Sequence, residues 1–148
     1  DWSSDVCSSD LLDACHKQGN DDVTLLKCCS QYPVKYEDMN LSVIPDMIRR
    51  FGVHVGLSDH SPGSLCPVIA ATLGAKVIEK HVCLSHEIKT PDSGFSMTMD
   101  EFAQMVKDVK NAEIAFGKPA YALICMMIST TSVGEFPTFS AAFMWSLS

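Results

Sequence analysis

Apolar positions along this chain fall into short runs and helical stripes that alternate in type. Leu11, Leu12, Ala14 and Cys15 open a helical stripe that Gly19-Asn20 closes, both being residues that end helices. Residues 23–28 (VTLLKC) form a continuous run that reads as a buried strand, stopped by Pro33. Leu41, Ile44, Met47, Ile48 and Phe51 recur at spacings of three and four, which predicts a helix over 41–51. Pro45 then sits near its first turn, where proline is tolerated, and Gly52 ends it. Residues 53–57 predict a second strand, with Ser58-Asp59-His60 at its C-terminal end. Pro62-Gly63 turns the chain, residues 65–73 predict a helix of small and apolar residues, and Gly74 closes it. Lys76-Val77-Ile78 begins a third strand, which ends in Glu79-Lys80-His81. A polar loop containing Thr90-Pro91-Asp92 follows. Thr98 with Glu101 three residues on predicts a capping box. The helix it opens carries Phe102, Met105, Val106, Val109, Ala112 and Phe116 as a buried stripe, and Gly117-Lys118-Pro119 stops it.

Alternating helices and short apolar strands predict an α/β fold with a parallel sheet. Three such strands alone leave two edges unpaired and one face uncovered. The pattern therefore predicts part of a larger assembly. A closed barrel and an open doubly wound sheet both complete it.

Composition narrows the function classes. The chain has 148 residues, 47% apolar and 20% charged, which is a globular profile. Its net charge of -7 and the absence of a Lys/Arg block argue against a nucleic-acid partner. No membrane partner is expected either: the apolar stretch 120–129 (AYALICMMIS) is about half of a bilayer span. Seven cysteines are scattered without a CxxC pair, so neither a zinc ribbon nor a disulfide framework is indicated. Reduced, mostly buried thiols in a cytoplasmic protein are expected. The first ten residues, DWSSDVCSSD, have no apolar period and read as a disordered or non-native leader.

The chemistry gathers where the strands end, as it does in parallel α/β folds. His60 and His81 close consecutive strands at equivalent positions. Adjacent parallel strands lie about 4.8 Å apart, so both imidazoles can reach one ion. Two His ligands leave positions open for water and substrate, as a catalytic metal requires; Mn²⁺, Co²⁺, Mg²⁺ and Zn²⁺ all fit such a site. For either His alone, a hydrogen bond to a loop backbone is the simpler role. His16, His54 and His86 lack this placement. Ser58 is a candidate donor to a phosphate or carboxylate, or a turn hydroxyl. Asp59 either orients an imidazole or caps the next helix. Glu79 and Lys80 either pair at the strand end, or the carboxylate serves as a general base or substrate contact. Asp92 sits in the long loop and Tyr32 beyond the first strand, each with a solvated or barrel-mouth alternative.

These clusters resemble the sialic-acid synthase family. The matching stretches are LLKCCSQYP at 25–33, YEDMNL at 36–41, VGLSDHS at 55–61, LGAKVIEKHV at 73–82 and TPDSGFSM at 90–97. The PDS-x-FS loop is closer to pseudaminic-acid synthases than to N-acetylneuraminate synthases. The resemblance implies a (β/α)8 TIM barrel followed by a small antifreeze-like domain, with residues 11–121 as the last three β/α units of that barrel. It implies a transferase that condenses phosphoenolpyruvate with an amino-sugar aldehyde, releasing phosphate and forming a nine-carbon 2-keto acid. It implies that His60 and His81 bind a divalent metal, usually Mn²⁺, which polarises the aldehyde. Ser58 would contact phosphoenolpyruvate, and Tyr32 and Asp92 the sugar. Ser30 stands among the substrate positions, although Cys29-Ser30 replaces a Ser-Asn or Thr-Asn pair frequent in the family. Glu79 joins the two histidines at the catalytic strand ends. A homodimer of the full-length protein is implied as well.

The likeness stops after Tyr121, and residues 122–148 are an apolar tail without the family pattern. Two other functions fit the same residues: a metal-dependent aldolase-type barrel, and a non-catalytic fragment whose open edges complete another barrel. This chain alone is expected to have little synthase activity, because much of the implied ligand set lies outside these residues.

Overall fold

The computed structural model describes residues 4–32 and 34–119, with side chains from Ser8 onward. Pro33 and the tail at 120–148 lie outside the described residues. The chain divides into two units, Asp1–Lys118 and Pro119–Ser148, and the description below is of the first.

The elements are helix α1 (Ser4–Lys17), strand β1 (Thr24–Cys28), helix α2 (Val43–Phe51), strand β2 (His54–Asp59), helix α3 (Leu65–Thr72), strand β3 (Ile78–Lys80) and helix α4 (Met99–Phe116). A 3-10 turn, Tyr36–Asp38, lies between β1 and α2. The strands form one parallel sheet in the order β1-β2-β3. Each parallel step is bridged by a helix, α2 and then α3, as crossovers between parallel strands require. The predicted α/β class is therefore the observed one.

Side chains alternate faces along a strand, and this sorts β2. Val55 and Leu57 are fully buried in a core with Val34, Met39, Ile44, Cys66, Ala70 and Ala75. Ile78 of β3, the register partner of Leu57, packs against the same core. Gly56 and Ser58 face the opposite way.

Register changes once between β2 and β3. Lys76 N–H donates to the Val55 carbonyl at 2.7 Å, and Leu57 N–H donates to the Val77 carbonyl at 2.8 Å. A regular parallel ladder would bring the second bond from Lys76, so the β3 side carries one extra residue, a bulge at Lys76-Val77. Gly56 lies against it. A Cβ there would meet the Val77 carbonyl oxygen at 2.5 Å and Leu26 Cδ2 at 2.6 Å.

Four expectations are corrected. The helix predicted to open near Leu11 begins at Ser4, so the leader is not disordered from that point. Serine and aspartate are cap and first-turn residues, and acids favour a helix N-terminus. Strand β1 is not buried: Leu25, Leu26 and Lys27 are half-buried, because β1 is an edge strand among the described residues. The stripe on α4 buries only Met105, leaving Phe116 70% exposed. Helix α4 packs on α3, but its 18 residues run about 27 Å at 1.5 Å each, against about 12 Å for the 8 of α3. Among the five cysteines whose side chains are described, only Cys66 is buried, whereas Cys15, Cys29 and Cys83 are half-buried and Cys28 is exposed.

The capping box forms as predicted. The Thr98 hydroxyl accepts from Glu101 N–H, and Thr98 N–H donates to Glu101 Oε2 at 2.7 Å. The Thr98 backbone bond, then the His86 bond and the Thr98 hydroxyl, hold the Glu101 carboxyl below the usual carboxylate range. Its folded pKa lies under the unfolded one. Its contribution is thus full above the ordinary range and is lost as pH falls through the folded value. Thr98→Ala is expected to cost about 1 kcal/mol and to fray the first turn of α4, read by urea unfolding and amide exchange at 99–102. Acidification should fray the same turn in the parent chain.

Candidate active site

The site lies where β2 and β3 end, and their register builds it. Ser58 pairs with Glu79 and Asp59 with Lys80 across the sheet. Alternation turns Ser58, His60, Glu79 and His81 to one face, while Asp59 and Lys80 point into the helix layer with Leu57 and Ile78.

On the first face, the Ser58 hydroxyl donates to Glu79 Oε1 at 2.6 Å. The rings of His60 and His81 stand 5.2 Å apart. His60 is buried, and its Nδ1–H donates to the Cys29 carbonyl at 3.2 Å. His81 is half-buried, with Nδ1 at 3.9 Å from Asp92 Oδ2, an ion-pair distance rather than a hydrogen bond. Both Nδ1 atoms thus face an oxygen, which leaves Nε2 of each ring for another ligand. Among the described residues no group of three or more His, Cys, Asp or Glu side chains is placed to hold a metal ion. The two imidazoles come together, and further ligands do not join them from the described residues.

Behind this face, Lys80 Nζ lies 2.7 Å from Asp59 Oδ2, and both side chains are 0% exposed. Asp59 Oδ1 accepts the Ser61 N–H at 2.9 Å, and Lys80 Nζ donates to the Ser61 carbonyl. Both alternatives for Asp59 are thereby corrected: it faces away from the imidazoles and caps the turn at Ser61 instead of α3, whose cap is Ser64. A Glu79–Lys80 pair is corrected too, since adjacent strand residues point to opposite faces. Cys66 lies in the same layer. Burial pushes its thiol up, against the pull of the Ser61 hydroxyl beside it.

The loop after β3 is folded onto the histidines. Met97 N–H donates to the His81 carbonyl at 2.9 Å and Cys83 N–H to the Met97 carbonyl at 2.8 Å, clipping the loop ends together. The Asp92 carbonyl accepts the N–H of Ser96 at 3.1 Å and its hydroxyl at 2.6 Å. This tight turn drives Phe95 inward, to 6% exposure. Its ring centroid lies 5.8 Å from that of His60 and 5.1 Å from that of His81. Tyr32 closes the other side, 4.6 Å from His60 and 5.4 Å from Phe95. Tyr36 donates to the Pro62 carbonyl at 3.2 Å, tying the loops after β1 and β2.

Of the candidate residues, His60, His81, Ser58, Glu79, Tyr32 and Asp92 are brought to one place. Ser30 is exposed, two residues beyond β1. Sequence reasoning missed Phe95 as a contact of both imidazoles, though the one phenyl ring in the loop after β3 was the available signal. The Cys29 carbonyl had no signal, because a backbone atom carries none. His86 pairs with Glu101 at 2.9 Å, away from the site. A cavity of about 360 Å³ between residues 62–64, 94–97 and α4 excludes both imidazoles; Phe95 is the wall they share with it.

The relatives that this chain resembles are sugar-acid synthases. Residues 7–121 match the NeuB family, and the chain belongs to it. The pseudaminic acid synthase of Helicobacter pylori is 49% identical over 109 residues, covering 74% of this chain and 32% of that protein. The pseudaminic acid synthase of Campylobacter jejuni serotype O:2 is 52% identical over 101 residues, covering 68% and 29%. Among solved structures, an N-acetylneuraminic acid synthetase from Leptospira borgpetersenii superposes with a TM-score of 0.75 at 27% identity, covering 84% of this chain and 43% of that one. The chain spans about a third of the length of the two pseudaminic acid synthases. No helix among the described residues is long and apolar enough to cross a membrane.

Proposed function

We propose that this chain carries the metal-binding strand ends of a phosphoenolpyruvate-dependent synthase of the pseudaminic acid type. Such an enzyme joins phosphoenolpyruvate to an amino-sugar aldehyde and yields a nine-carbon 2-keto acid and phosphate. The three β/α units would be the last of a (β/α)8 barrel, in a cytoplasmic protein that is a homodimer at full length. The observation that carries this reading is the imidazole pair at consecutive strand ends, 5.2 Å apart, in a chain about half identical to pseudaminic acid synthases.

The residues fit a divalent ion, with Mn²⁺ the first choice and Co²⁺ or Mg²⁺ next. Two N–metal bonds of about 2.1 Å, with each ring centroid set back behind its ligating nitrogen, can span centroids 5.2 Å apart. A ligating His typically gives its other ring nitrogen to a carbonyl or carboxylate, as His60 does to Cys29 and as Asp92 is placed to accept from His81. Bound there, the ion would supply a Lewis acid for the aldehyde oxygen. Ser58 and Glu79 would hold phosphoenolpyruvate and its proton traffic at the neighbouring position. Tyr32 and Asp92 would orient the sugar. Phe95 would exclude water from the back of both imidazoles. Ser30, exposed beyond β1, would be a further substrate contact.

Titration of the chain with Co²⁺ tests the ion site. His60→Ala and His81→Ala are each expected to weaken binding at least tenfold, about 1.4 kcal/mol; affinity unchanged in both variants sinks the assignment. The reaction is tested by grafting residues 11–119 into the H. pylori enzyme. The chimera should release phosphate from phosphoenolpyruvate, and His60→Ala should abolish it. Aldol chemistry on pyruvate without phosphate release would favour the aldolase alternative.

A further inference from the structure

The geometry points to the buried Asp59–Lys80 ion pair as a register latch: two positioning residues that keep the histidine-bearing strand ends in phase. The inference deepens the proposed function, whose His60–His81 pair it aligns, but its structural part stands on the metal-free chain.

The pair is the middle rung of a ladder. Ser58 and Glu79 meet on one face at 2.6 Å, and His60 and His81 follow on that face at 5.2 Å. Between them, Asp59 and Lys80 are register partners on the other face, 2.7 Å apart. Neither front rung is a strong clamp. One is a single hydroxyl bond, and the other brings two rings together without a bond between them.

Besides Ile78, which packs on the core, strand β3 has little else to fix its phase. It spans three residues, Ile78–Lys80, and the bulge at Lys76-Val77 lies just before it. The register already shifts by one residue there. If the extra residue moved along the strand past His81, every side chain between its old and new places would change face. His81 would leave His60 and turn toward the helix layer. Lys80 resists this shift, because a slip would carry its ammonium away from Asp59 and leave both charges buried without a partner. A buried ion pair is weak support for stability, and its best-attested use is to set register.

The polar satisfaction around the pair fits this role. Asp59 uses Oδ1 on Ser61 N–H and Oδ2 on Lys80, while Lys80 also reaches the Ser61 carbonyl. Ser61 immediately follows His60, so the latch ties β3 to the residues on both sides of that imidazole. A pair that merely filled space would not need to bond the backbone there.

The test uses the 148-residue chain with ¹³C/¹⁵N-labelled histidine and no metal. The Asp59→Asn/Lys80→Met double variant removes both charges while keeping shape. It is expected to unfold cooperatively and to lose the cross-peaks between the His60 and His81 rings, with Co²⁺ affinity falling at least tenfold. A folded double variant whose rings remain adjacent overturns the latch. Should the double variant fail to fold, its spectra are read in trimethylamine N-oxide, an osmolyte that favours the compact state. A second set of His81 signals in that variant supports a slipping register, and one unchanged set overturns it. If Co²⁺ binding by the parent chain is indifferent to His60→Ala, the metal reading fails, and the ring cross-peaks still judge the latch.

Discussion

Lys80→Met alone is expected to destabilise the chain by about 3–5 kcal/mol, the range for breaking a buried pair by removing one partner. The Asp59 carboxylate would stay fully enclosed with Oδ1 on the Ser61 N–H and Oδ2 unpaired. The Ser61 carbonyl would lose its donor as well. Methionine replaces the aliphatic stem at nearly equal volume, so little of the loss comes from packing. Urea unfolding at neutral pH reads the effect. Adding Asp59→Asn should recover most of it, because the second change removes the stranded charge. That recovery separates two quantities that a single variant confounds. The cost of stranding a charge belongs to Lys80→Met, and the net worth of the pair is the smaller deficit left in the double variant. A Lys80→Met chain with the parent's urea midpoint would show that water reaches Asp59.

The same pair marks where sequence reasoning reached and where it stopped. The tripeptides Ser58-Asp59-His60 and Glu79-Lys80-His81 were legible as equivalent strand ends, and the front-face meeting of Ser58 with Glu79 and His60 with His81 follows from their register. The partner of Lys80 is not legible in the tripeptide, because Asp59 stands 21 positions away on the neighbouring strand and alternation turns Glu79 to the other face. Helix α2 was nearly complete in the pattern, beginning at Val43 instead of 41, since its stripe, its early proline and its Gly52 cap all agree. The capping box of α4 was legible for a similar reason: it is a local device whose partners lie three residues apart. Burial was not local. Edge strand β1, the free end of α4 and the half-exposed cysteines depend on which elements lie beside them, and periodicity does not carry that. The bulge at Lys76-Val77 left one trace only, a glycine inside an apolar strand at Gly56, which is a known companion of close backbone approach.

Gly56→Ala is expected to cost about 3 kcal/mol, the upper part of the overpacking range. The backbone of Gly56 is not in the left-handed region, so strain in φ is not the reason. The obstacle is steric. The new methyl would lie 2.5 Å from the Val77 carbonyl oxygen and 2.6 Å from Leu26 Cδ2. Leu26 can rotate away, being the end of a side chain. The Val77 carbonyl cannot do so without losing the Leu57 N–H that it accepts at 2.8 Å. Relief therefore requires β3 to separate from β2 at the bulge, one residue before the Ile78–Leu57 pairing. The lower entropy of alanine in the unfolded chain offsets at most about 1 kcal/mol of this. Gly94→Ala supplies the comparison, since a Cβ there meets nothing within 4 Å and its backbone is also outside the left-handed region. It should stay within about 0.5 kcal/mol of the parent. Urea midpoints of the two variants read the difference. The strand-end geometry supplies a second readout: separation at the bulge should weaken the Ser58–Glu79 bond and move the His81 ring from His60 before the chain unfolds. Equal midpoints for Gly56→Ala and Gly94→Ala would mean that the sheet yields at the bulge at no cost, and that the close approach of Val77 to Gly56 does not constrain the site.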